Sequence, residues 1–112
     1  MKSTNAMNEN VRGSVMAKAA KEEIEAVLPV EISVTDTASF PTDADSEEVW
    51  MHGAGDVMGA TIRVANIQSP LGTFARVLFI TEEATDTFNI YRRGDLRRLA
   101  SVLETHKEIH AE

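Results

Sequence analysis

The chain has 112 residues, no cysteine, and 18 acidic against 11 basic residues, for a formal charge of −7. That length supports one domain with a single modest core, and the lack of cysteine excludes a disulfide framework, a thiol nucleophile and a cysteine zinc site. The negative field disfavours whole-surface binding to phosphate backbones and favours cationic partners.

No apolar run approaches the ~20 residues needed to span a bilayer. The opening MKSTNAMNENVRGS has no apolar stretch of the kind a signal peptide requires. The expectation is a cytoplasmic protein without membrane contact. Aromatics are limited to Trp50, Tyr91 and four Phe, so Val, Ile, Leu, Met and Ala must build the core.

In chain order, residues 1–13 are polar and read as a flexible arm ahead of a single domain over 14–112. From Ser14, a candidate N-cap, Val15, Met16, Ala19, Ala20, Ile24, Val27 and Leu28 recur at helical spacing. Lys18 with Glu22 and Lys21 with Glu25 are i,i+4 pairs on the other face. Pro29 ends this helix. Val30–Asp36 alternates apolar and polar residues and predicts a half-buried strand. Thr37–Ser46 reads as a loop. Glu47–His52 is expected as a strand carrying Trp50, with a short helix ending at Gly53 as the alternative.

Gly53-Ala54-Gly55-Asp56 is turn chemistry, followed by an alternating strand over Gly59–Ile67. Ser69-Pro70-Leu71-Gly72 predicts a second turn. Thr73–Thr81 contains the continuous apolar run Val77–Ile80, which predicts a central strand covered on both faces. After a polar turn over Glu82–Asp86, Thr87–Arg92 is a strand with Phe88 and Ile90 inward. Asp95 is the expected N-cap of a last helix, whose buried stripe is Leu96, Leu99, Val102, Leu103, His106 and Ile109. Short connections favour antiparallel hairpins. The predicted fold is α+β: a five-stranded antiparallel β-meander with an N-terminal and a C-terminal helix packed on one face.

Five constellations bear on function. The Gly53–Gly59 spacing, GxGxxxG, is followed by β-branched alternation rather than a helix, which favours a hairpin turn over a pyrophosphate cradle. His106 and His110 share a helix face, but Glu108 stands in neither position that zinc-protease motifs require, and dipole complementation is the better reading. His52 beside Asp56 is the one conceivable catalytic dyad, and a polar residue near a turn is the plainer reading. No catalytic residue, metal or cofactor is expected.

The remaining two are charged. Asp43, Asp45, Glu47 and Glu48 lack the spacing of a calcium loop. With Glu22, Glu25 and the neighbouring Trp50 they are the expected surface for a protein partner with a basic groove. Tyr91, Arg92, Arg93, Arg97 and Arg98 concentrate positive charge at a strand-to-helix junction and could hold phosphates and stack a base. The leading expectation is a small, non-enzymatic, acidic inhibitor or adaptor of a phage or immunity type. It would act on a nucleic-acid-handling protein by imitating phosphates. The alternative is a single-stranded nucleic-acid module using the arginines. A meander followed by a helix is similar in topology to single-stranded-DNA-binding cofactor domains, an analogy of fold that carries no residue across. A homodimer through an edge strand is a further expectation.

Overall fold

The computed structural model describes residues 2–37, 40–42 and 46–110, with side chains from residue 14 onward. The strands are β1 (Ser33–Val34), β2 (Glu48–Val57), β3 (Ala60–Ser69), β4 (Gly72–Ile80) and β5 (Thr85–Ile90). They form one five-stranded antiparallel sheet in the order β1-β2-β3-β4-β5, a meander. Helix α1 (Lys2–Val27) precedes it, and α2 (Leu96–Ile109) follows a 3-10 turn at Arg93–Asp95. This is the α+β architecture expected, with one displacement: β3 is the middle strand. β4 lies beside it and is buried throughout Thr73–Phe79, as its apolar run predicts.

Several of the predicted boundaries change; β5, for one, starts at Thr85 inside the polar turn expected over Glu82–Asp86 and ends at Ile90, short of Arg92. The turn expected at Gly53–Asp56 is part of β2, where those residues pair with Val64 to Thr61 of β3. The reversal comes at Met58 and Gly59, between the paired Val57 and Ala60. Both have positive φ, 50° and 78°, as the tight hairpin that matches strand twist demands. The glycines answer a different need. A Cβ at Gly55 would lie 2.7 Å from the Glu31 carbonyl oxygen, and one at Gly53 would lie 2.8 Å from Ile32 Cγ2. They let the chain leaving α1 cross directly over β2. That crossing shortens the strand expected over Val30–Asp36 to the two residues of β1: Ile32 is buried, while Val34 is 80 % exposed.

Helix α1 begins inside the segment read as an arm. Ser14 is therefore not an N-cap but an interior residue whose hydroxyl accepts a hydrogen bond from Asn66 Nδ2 at 3.1 Å. Met16, Ala17, Ala20 and Ile24, with Leu28 beyond the helix end, face the sheet, whereas Val15 turns outward. Pro29 follows the stop, and Glu25 Oε2 accepts the Ile32 backbone N–H at 2.8 Å, tying the helix to the crossing segment. On α2, Leu99, Leu103 and His106 are buried, while Ile109, expected in that stripe, is exposed.

The core on the helix side joins these residues to Ile62, Val64, Ala75, Val77, Phe79, Phe88 and Ile90 of the sheet. Each of the larger side chains, Val, Leu, Ile, Met or Phe, contributes about 1.5–3 kcal/mol by leaving water. The opposite face has a smaller core of Phe40, Ala65, Ile67, Phe74 and Leu78. Ser14 meets the end of β3, and α2 starts beyond the end of β5. At the far end His106 Nε2 lies 2.9 Å from the Met58 carbonyl. Both helices thus run from the Ser69–Gly72 end of the sheet, the junction end, to the Met58–Gly59 end, the hairpin end.

Candidate functional site

The residues expected to form one acidic surface are distributed over both sides of the sheet. Glu25 lies on the helix side, bonded to Ile32 N and paired with Lys21 Nζ at 3.6 Å. Glu47 lies on the other side, where it grips Arg76 through two hydrogen bonds of 2.7 and 3.1 Å. Arg76 is only 3 % exposed; its Nε donates to Asn89 Oδ1 at 2.8 Å and its guanidinium lies 5.2 Å from the centre of the Phe74 ring. A buried guanidinium requires such complete partnering, because an unpaired charge there is strongly destabilising. Glu47 thus anchors the segment entering β2. Glu22 and Glu48 are exposed, and Trp50 is 46 % exposed as the extra residue of a bulge between Val49 and Met51. Asp43 and Asp45 lie outside the described residues.

His52 does not meet Asp56 as a dyad. Its ring is 1 % exposed, and Arg63 Nε donates to Nε2 at 3.1 Å. An arginine only donates, so Nε2 is an acceptor and Nδ1 carries the proton that it gives to the Asp36 carbonyl at 2.9 Å. Phe40 packs edge-on against this ring at 5.0 Å, and Arg63 lies over Phe40 at 5.4 Å. Asp56 instead accepts from Thr61 Oγ1 at 2.6 Å. His52 thus fastens Asp36 and Phe40 to the sheet. His106 is held similarly by the Met58 carbonyl and stacks on His110 at 4.2 Å. Among the described residues there is no group of three metal-ligating side chains.

The hairpin end gathers carboxylates that do not look clustered in sequence. Glu31 passes over Gly55, Asp56 closes β2, Glu82 and Glu83 form the β4–β5 turn, and Asp86 follows in β5. All five are exposed, and none makes an ion pair among the described residues. Glu82 and Glu83 border a cleft of about 470 Å³ closed by Met58, Gly59, His106 and His110. Sequence reasoning missed this grouping because it depends on register: Asp56 opposes Thr61, and Thr61 opposes Ile80 at the edge of the turn.

The junction end is the positive counterpart. Arg92, Arg93, Arg97 and Arg98 are all exposed. Arg98 lies over the Phe88 ring at 5.3 Å. Arg92, Arg93 and Arg97 have no ion-pair partner among the described residues. Asp95, expected to cap α2, makes no such bond there. Its Oδ2 accepts the backbone N–H groups of Tyr91 and Arg92, at 2.9 and 3.2 Å, and so shapes the junction itself. Tyr91 is 56 % exposed and stacks on the buried Phe74 at 4.8 Å. No helix among the described residues is long and apolar enough to cross a membrane. Comparison with protein-family models, curated proteins and solved structures finds no match for this chain.

Proposed function

We propose that this protein is a non-enzymatic interaction module, an inhibitor or adaptor that docks on the basic surface of a nucleic-acid-handling protein. The observation that supports this reading is the set of exposed carboxylates at the hairpin end, Glu31, Asp56, Glu82, Glu83 and Asp86, which have no ion-pair partner among the described residues. Carboxylates left unneutralised and in water keep their full attraction for a cationic groove, and such charge chiefly accelerates encounter and selects the partner. Of the residues expected from sequence, Glu22, Glu48 and the half-exposed Trp50 remain exposed, with Glu48 and Trp50 toward the opposite end of β2, whereas Glu25 and Glu47 serve the fold.

The reading is tested by affinity capture from host lysate with the wild-type protein and with the combined variant Asp56→Asn, Glu82→Gln, Glu83→Gln, Asp86→Asn. A basic, nucleic-acid-handling protein retained by the first and depleted by the second is the expected result. Equal retention by both would overturn it.

A further inference from the structure

We propose that the junction end binds a short single strand of nucleic acid, with one base on Tyr91 and the adjoining phosphates on Arg92, Arg93 and Arg97. One face of the Tyr91 ring is held by Phe74, which is 4 % exposed and anchored in the smaller core, yet Tyr91 itself remains 56 % exposed. A rigidly backed ring with an open face is a stacking platform, and stacking accepts any base because every base has a π-face. Tyr91 borders a cleft of about 290 Å³ formed with Ser46, Pro70, Leu71, Thr73 and Phe74. Leu71, at the tip of the β3–β4 hairpin, is fully exposed and supplies a second apolar wall.

The charges at this end have few internal claims. Glu47 also borders the cleft, but its carboxylate is held by Arg76. Asp95 accepts the Tyr91 and Arg92 N–H groups, so it fixes the backbone from which ring and guanidinium project. Against Asp95 and the exposed Glu48, which opposes Gln68 at this end of the sheet, stand three arginines without ion-pair partners among the described residues. The rest of the chain is acidic and repels phosphate, so the contact is local and strongly dependent on salt. With three phosphates neutralised on a single strand, log affinity should fall with log salt at a slope of about −2.

This site is independent of the carboxylates at the hairpin end. Together the two ends describe an adaptor that touches a basic enzyme with one end and its single-stranded substrate with the other. The test is fluorescence anisotropy at low salt with a labelled oligothymidylate, the matching oligouridylate and an abasic strand of equal length. The wild type should bind both oligonucleotides and bind the abasic strand more weakly. Tyr91→Ala should weaken oligonucleotide binding about tenfold while leaving the abasic strand unchanged, and Tyr91→Phe should retain it. Arg92→Gln, Arg93→Gln and Arg97→Gln together should weaken all three and remove the salt slope. The hairpin-end carboxylate variant should bind oligonucleotides at least as tightly as wild type, which separates this proposal from the docking reading. A preference between the thymidylate and the uridylate identifies DNA or RNA as the ligand. Absence of binding at low salt, or an abasic strand bound as tightly as the oligonucleotides, would overturn the proposal.

Discussion

The two ends of the sheet carry exposed charge of opposite sign, and both differ from the shielded ionic contact of Glu47 with Arg76. At the hairpin end carboxylates stand in water, and at the junction end arginines do. On the sheet face away from the helices, toward the junction end, Glu47 and Arg76 are joined in a shielded pair beside Asn89 and Phe74. The terminal charges are therefore free to act on a partner, and the internal pair acts on the fold. Total charge cannot separate these roles; only burial and partnering can.

The sharpest way to break that contrast is to cut the internal pair. Arg76→Met leaves Glu47 without its counterion, and Glu47→Gln leaves a buried guanidinium. The second should cost about 3–5 kcal/mol in a urea titration, and the double variant should recover part of it. If either single change were as mild as a surface substitution, the pair would not be structural.

The next largest effect belongs to the crossing over β2. Gly55→Ala places a methyl where the Glu31 carbonyl stands 2.7 Å away, against backbone that cannot swing aside. A loss of about 1–3 kcal/mol is expected, since overpacking forces a backbone shift. Gly59→Ala meets no neighbour but holds φ at +78°, and should cost about 1 kcal/mol. A larger loss at Gly59 than at Gly55 would show that the hairpin turn, not the crossing, constrains β2.

Asp95→Ala removes one acceptor shared by two backbone N–H groups and should cost about 1–2 kcal/mol. It should also loosen the presentation of Tyr91 and Arg92, measurable as raised amide exchange at those residues. Charge removal at either end should be the mildest change. The hairpin-end and arginine variants should each stay within about 0.5 kcal/mol of wild type in the same titration.

Much of this fold was legible in the chain. Alternation exposed β3 and β5, the continuous run Val77–Ile80 marked a strand buried on both faces, and Leu99 and Leu103 marked the inner stripe of α2. The errors share a physical origin. Gly53 and Gly55 look like turn residues, yet glycine also permits close approach of two backbones, and only the path of Glu31–Ser33 decides between these uses. Arg76 drew no expectation at all, because the partner that lets it be buried, Glu47, is far away in sequence. The arginine cluster was visible because it is local, and the hairpin-end carboxylates were not, because pairing register assembles them. Distributed sites of that kind need the sheet before they can be seen.

In the proposed function the exposed carboxylates of the hairpin end carry the docking interaction. That role is tested most directly by the association rate of the captured partner with wild type and with the Asp56, Glu82, Glu83, Asp86 variant across a salt series. Expected are a rate lowered by about tenfold or more at low salt, a flattened salt dependence, and little change in dissociation. Superimposable salt profiles for the two proteins would contradict it.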